Sequence, residues 1–278
     1  MKTTFVADST LGLSPQEALE QGIYLVPQQI ILDGKTYRDW LELTPDEVAA
    51  AQKSGSKVTT SQCAQADIQE LYDSLLGQFD RVVSVHVSSR LSGTYSTAQA
   101  VAAGFGDRVK VLDSLSINGG VQFVLDEARR LLAAGAAWER LEESVAPLRG
   151  AMRGYVLPRT LEYLRRGGRI SGLQHFIASL LKILPILEIK DGAVLPAERV
   201  RGWHHGIAQL VHRFHRDFPR GARVHLAHTY DQEAIEELRR AMKLEGVLLE
   251  STRPAGAAVM AHTGPGTVAV FAAPRSAV

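Results

Sequence analysis

Two rhythms of apolar and polar positions alternate along this chain. Short apolar runs rich in β-branched residues occupy residues 4–7, 24–32, 81–87 and 109–112, the length and character of buried strands. Between them, apolar residues recur at helical spacing over 64–79, 92–103 and 116–134. A further helix opens at Thr44-Pro45-Asp46-Glu47, with a capping Thr, Pro at the first helical position and acids in the first turn. Strands that alternate with helices predict a parallel sheet with helices packed on it.

A second unit starts near Gly150. It reads as a strand over 152–157, short helices at 161–166 and 173–181, and a hairpin of 186–189 with 194–200 joined by Asp191-Gly192. An amphipathic helix over 202–218, a strand at 223–227, a helix at 231–243 and strands at 246–249 and 267–272 complete it. In open α/β sheets ligands sit beyond the carboxyl ends of strands, where Asp8-Ser9-Thr10, Ser88-Ser89 and Asp113-Ser114 all fall.

Three segments have the character of a site. Met260 to Phe271 places His262 and Thr263 before a loop that Gly264, Pro265 and Gly266 force into a fixed shape. Thr59-Thr60-Ser61-Gln62 precedes an expected helix, and Ser88 to Tyr95 lies between a strand and another. A hydroxyl before a helix serves as a cap, and a helix N-terminus with hydroxyls also suits a carboxylate or phosphate.

Composition narrows the chemistry. The chain has 278 residues, 45% hydrophobic, with 31 basic and 30 acidic side chains spread throughout, so no electrostatic footprint for a polyanion is present. The single cysteine, Cys63, excludes an internal disulfide and a cysteine-based zinc site. The opening residues lack a signal-peptide pattern and no apolar run is long enough to span a bilayer, so a cytoplasmic location is expected. Neither G-x-G-x-x-G nor G-x-x-x-x-G-K-[ST] occurs, which argues against a nucleotide cofactor. Ser92, His262 and Asp113 can be nominated as a hydrolase triad, but no G-x-S-x-G elbow surrounds Ser92. His204, His205, His212 and His215 share a helix without an acidic metal motif, and His225 and His228 near a strand end are unremarkable alone; no metal is expected.

Taken in order, the segments resemble the DegV family of bacterial fatty-acid-binding proteins, the FakB components of fatty acid kinase. The resemblance runs from F-V-A-D-S-T at Phe5 through Asp33 to Asp39, T-S-Q at Thr60, S-S-x-L-S-G-T-Y at Ser88 and V-L-D-S at Val111. It continues with L-x-Y-L-R-R-G-G-R-I-S at Leu161 and ends with H-T-G-P-G-T at His262. It implies a two-domain DegV-like α/β fold: a parallel-sheet domain, residues 1–150, carrying headgroup loops, packed on a domain with a mixed sheet, residues 151–278, carrying an acyl tunnel. It also implies a fatty-acid carboxylate held by Thr60, Ser61, Ser92 and Gly93 with His262 nearby. Arg169 is placed near the junction, with Arg165 and Arg166 beside it as partner or junction residues. Such proteins are carriers without catalytic residues or cofactor, whose bound long-chain fatty acid is phosphorylated to acyl phosphate by a separate ATP-binding kinase subunit; transient membrane contact for lipid exchange is a further expectation.

The physics agrees with a carrier. Burying a long acyl chain at about 0.8 kcal/mol per methylene yields on the order of 10 kcal/mol before entropic costs. Neutral hydroxyls leave a carboxylate oxygen nucleophilic, whereas a bidentate Arg would occupy both oxygens. Phe176, Ile177, Leu180, Leu181, Leu184 and Ile186 are the expected tunnel wall. Cys63, Arg90 and Leu184 depart from the family's usual Pro, Gly and Lys. The rivals are a serine hydrolase and a small-ketone-binding kinase subunit, either using Ser92 and His262.

Overall fold

The computed structural model describes residues 1–168, 183–242 and 246–275. The chain runs β1 (Thr3–Asp8), α1 (Pro15–Glu20), β2 (Ile23–Val26), β3 (Gln29–Leu32), β4 (Lys35–Arg38), α2 (Pro45–Lys53), β5 (Val58–Ser61), α3 (Gln65–Leu76), β6 (Arg81–His86), α4 (Thr94–Ala102), β7 (Val109–Asp113), α5 (Gly119–Ala133) and α6 (Leu141–Ala151). It continues with β8 (Arg153–Leu157), α7 (Glu162–Arg166), β9 (Ile183–Lys190), β10 (Ala193–Arg201), α8 (Trp203–Asp217), β11 (Ala222–His228), α9 (Gln232–Ala241), β12 (Val247–Pro254), α10 (Ala257–Thr263) and β13 (Val268–Pro274).

The expected α/β architecture is present. A four-stranded parallel sheet has the order β2-β1-β6-β7, and a six-stranded sheet has the order β10-β9-β8-β13-β11-β12, antiparallel except where β11 meets β12. Helices α5 and α6 lie between them. One continuous core runs from Val83 and Leu112 of the first sheet, through Phe123 and Leu141, to Leu187 and Phe271 of the second. Helices α3 and α4 cover the outer face of the first sheet, and α8 and α9 that of the second.

The structure departs from the pattern's prediction at several elements: α1, β4, β5, α6 and α10 were not foreseen, and the run over 24–32 divides. The apolar run over 24–32 is two strands, because Pro27 has no N–H to continue a ladder and the chain leaves the first sheet there. Beyond it, β3 joins β4 and β5 in a small antiparallel sheet. Thr60 and Ser61 are therefore strand residues rather than helix caps. Helix α10 reaches back from the C-terminal half onto α2, β3 and β5.

Local signals held where their chemistry was specific. Thr44 accepts from the Glu47 N–H and Glu47 from the Thr44 N–H, a complete capping box at a Pro-initiated helix. The hairpin turns at Asp191 (φ 49°) and Gly192 (φ 80°), as a primed turn requires. Its tip docks on the loop after β6: Ser88 Oγ donates to Gly192 O at 2.7 Å and Arg90 Nη1 to Asp191 O at 3.0 Å.

Candidate functional site

A cavity opens where the carboxyl ends of the first sheet's strands face the inner side of the second. Its empty space, open mouth included, is about 950 Å³. Among the described residues its apolar wall comes from Val156, Leu187, Ile189, Val194 and Phe271 of the second sheet, with Leu164 of α7. Thr10, Gln28, Thr60, Ser92, Asn118 and His262 supply polar groups.

Strand alternation corrects part of the expected tunnel. Leu187 and Ile189 face the cavity, whereas Ile186 is fully buried on the opposite face of β9 with α8, and Leu184 packs there too. The other expected wall residues, Phe176, Ile177, Leu180 and Leu181, and also Arg169, lie outside the described residues. Ser61 is exposed, since its side chain alternates with that of Thr60, and exposed Gly93 packs on Gln62; neither lines the cavity. Arg165 and Arg166 are exposed on α7, where Arg166 pairs with Glu162. His204 and His215 bond to Glu237 and to the Met242 carbonyl.

Ser92 sits at the start of α4, and its neighbours dictate the direction of its proton. Thr94 Oγ1 accepts from Gln28 Nε2 at 3.0 Å and from the Cys63 N–H at 3.2 Å, which fills both lone pairs. The Thr94 hydroxyl therefore donates to Ser92 Oγ, 3.0 Å away. Ser92 Oγ also accepts from the Thr94 N–H at 3.3 Å. With its own acceptor capacity used, Ser92 has one group left to offer the cavity, an O–H donor.

Thr60 comes from β5 and His262 from the last turn of α10, and Thr60 Oγ1 lies 2.7 Å from His262 Nε2. When Nε2 carries the proton, Thr60 accepts from it and its own hydroxyl proton is free for a ligand. Gly167 makes room for the ring, because a Cβ there would meet His262 Nδ1 at 2.0 Å. Thr10, by contrast, donates to Asp8 Oδ1 at 2.5 Å and presents only lone pairs. Burial acts to raise the Asp8 pKa, but hydrogen bonds and charge from His86, with bonds from Thr10 and the Val87 N–H, outweigh it and hold the carboxyl below its ordinary value.

The nominated triad is not assembled. Among the described residues no bond joins Ser92 to His262 or Asp113, and Asp113 accepts from the backbone of Ser89 and Leu115. Several lining residues escaped the sequence reading, Gln28, Asn118 and His228 among them. Asn118 caps α5 at φ 49°, its Oδ1 accepting from the Gly119 N–H while Nδ2 has no partner among the described residues. His228 closes β11, and burial pushes its pKa below the ordinary imidazole value while Asp231 opposes this. An Asn-Gly-Gly after a strand was the available signal for Asn118; nothing in sequence singled out His228.

Comparison with known proteins places this arrangement. A DegV-domain protein of Caldanaerobacter subterraneus is 31% identical over 97% of this chain and 98% of its own. A solved Thermus thermophilus structure, described as fatty acid binding of a DegV family protein, superposes with TM-score 0.90 at 33% identity, covering 99% of this chain and 100% of that one. Bacillus subtilis DegV, described as a fatty acid binding protein, matches with TM-score 0.86 at 27% identity over 99% and 100%. The family model described as "Uncharacterised protein, DegV family" matches residues 2–275. This chain belongs to the DegV family.

Proposed function

We propose that the protein binds a long-chain fatty acid, with the acyl chain in the apolar part of the cavity and the carboxylate at Thr60 and Ser92. The observation that carries this reading is the hydroxyl relay from Gln28 and Cys63 through Thr94, which turns Ser92 into a donor and so selects an acceptor. His262 acts through Thr60, holding its hydroxyl ready to donate. The fatty-acid binding described for the Thermus and Bacillus relatives supports the same ligand class. In this reading residues 1–150 supply the donors Thr60 and Ser92, and residues 151–278 supply most of the acyl wall and His262.

A carboxylate gripped by neutral donors keeps an oxygen able to attack a phosphoryl group. The protein thus presents its ligand to a separate ATP-binding kinase subunit, which makes the acyl phosphate; Arg165 and Arg166 form part of the docking rim, and catalysis belongs to the partner. The test is extraction of lipid from denatured, purified protein followed by mass spectrometry. A stoichiometric long-chain fatty acid is expected. Protein that carries none and fails to bind added palmitate would overturn the reading. Acyl phosphate formed only when a cognate kinase subunit and ATP are both added tests the second step.

A further inference from the structure

Away from the cavity, Asp126 of α5, His225 of β11 and Glu250 of β12 bring one ligand atom each within 4.8 Å of one another. From these residues we propose a site for a divalent transition-metal ion of the zinc type, one that clamps α5 to the second sheet.

His225 is 3% exposed, and its ring is held from both sides. Nδ1 lies 2.8 Å from Ser251 Oγ, and the Phe123 ring packs at 4.5 Å between centroids. A proton on Nδ1, donated to Ser251, leaves Nε2 as a bare lone pair, the arrangement in which a metal-binding histidine is oriented by an outer partner. Nε2 lies 3.1 Å from Glu250 Oε2, close enough for an ion pair when the ring is protonated, but among the described residues it has no partner with hydrogen-bond geometry. With the proton on Nδ1, two lone-pair atoms face each other there and a cation can bridge them, although Arg223 Nη2 also lies 3.4 Å from the same Glu250 oxygen. Metal bonds of about 2.1 Å to both would subtend about 95° at the ion, an open but usable angle.

The backbone is arranged for this meeting. The β11–β12 register passes from Val224↔Leu249 to His225↔Ser251, so Glu250 is the extra residue of a β-bulge. Bulges re-aim side chains, and this one turns Glu250 toward His225. Asp126 reaches the same point from α5; its contacts to Gln122 and Arg129 both fall on Oδ1, leaving Oδ2 for the ion.

Charge decides which ion. Arg223 bonds Glu250 Oε1 at 2.6 Å, Arg129 lies 3.7 Å from Asp126, and Arg253 bonds the neighbouring Gln122. These guanidiniums offset the two carboxylates. A hard cation such as Ca²⁺ or Mg²⁺, bound through charge on oxygen ligands, gains little here, whereas an ion with real affinity for imidazole gains most.

The test uses the full chain, stripped with chelator and titrated with ZnCl₂ by calorimetry, with CaCl₂ and MgCl₂ as comparisons. One Zn²⁺ per chain is expected, without matching Ca²⁺ or Mg²⁺ binding. His225→Gln should abolish stoichiometric binding. Asp126→Asn, at a position 30% exposed and safe for folding, should weaken it, and Ser251→Ala should weaken it about 10-fold. Copurified lipid should not change, which separates this site from the cavity. Absence of Zn²⁺ binding, or binding unaltered by both His225→Gln and Asp126→Asn, overturns the proposal, as does equal affinity for Ca²⁺.

Discussion

Replacing Ser92 with alanine deletes one donor from the headgroup site and leaves the apolar wall untouched. If Ser92 donates to a carboxylate, the loss is that of a hydrogen bond to a charged group, about 1.5 to 3 kcal/mol, or roughly 10- to 150-fold in Kd. The acyl chain still contributes on the order of 10 kcal/mol, so the variant stays loaded. A second effect must be separated from the first. Removing Ser92 Oγ also strands the N–H and O–H of fully buried Thr94, which lowers stability whether or not ligand is present. The assay is therefore a pair of titrations on each protein, palmitate against hexadecanol, which share an acyl length and differ in headgroup charge. Ser92→Ala should weaken palmitate by the full factor and hexadecanol by a much smaller one. Equal losses for both ligands would refute the donor argument and reduce Ser92 to a buttress for α4.

Thr60→Val and His262→Ala should be coupled: because His262 acts through the Thr60 hydroxyl, the double variant should bind palmitate about as weakly as Thr60→Val alone, and strictly additive losses by calorimetry would contradict this. Leu187→Trp should shorten the longest acyl chain recovered by mass spectrometry, whereas Ile186→Ala, on the other face of β9, should cost about 2 to 5 kcal/mol in urea unfolding and leave the lipid profile unchanged; reversed phenotypes would contradict the alternation. Asp39 is almost wholly buried and burial pushes its carboxyl up to about 7, despite hydrogen bonds from Ser9 and the α10 N–H groups. The folded chain therefore holds a proton that the unfolded chain releases near the ordinary value of 3.8, and stability from this group falls as pH rises from about 4 to about 7. Relative to the parent, Asp39→Asn should gain about 2 to 3 kcal/mol between about pH 5 and pH 8, and parallel stability curves would show that Asp39 does not titrate there.

Periodicity was enough to reveal the layers of the fold, because helices and strands that bury one face must repeat apolar residues at 3.6 or 2. It failed where two elements share a rhythm. The run over 24–32 is apolar throughout, and only Pro27 marks the point where β2 ends and β3 enters another sheet. The same limit explains Leu184 and Ile186. A strand apolar on both faces gives no sign of which parity meets the cavity, and that parity is set by α8 packing from the far side. Thr60, Ser92 and His262 were legible because hydroxyls and glycines stood in short, ordered motifs; the relay that orients Ser92 was not, since Gln28, Cys63 and Thr94 come from three separate segments. Asp126, His225 and Glu250 lie still further apart in sequence, and no spacing rule joins them.

The continuous core through α5 and α6 has a kinetic consequence. Clamshell proteins admit ligands by swinging two lobes about a hinge, and that motion needs a thin, polar seam between the lobes. Here the seam is filled by Phe123, Leu125, Leu141 and Val145, all wholly buried and in one cluster with both sheets. Parting the sheets would wet that cluster at a cost comparable to unfolding. Exchange of the proposed ligand must instead use local displacement at the cavity's mouth, so its rate should follow the opening of peripheral segments, and a lipid bound there should leave slowly even when its equilibrium affinity is modest.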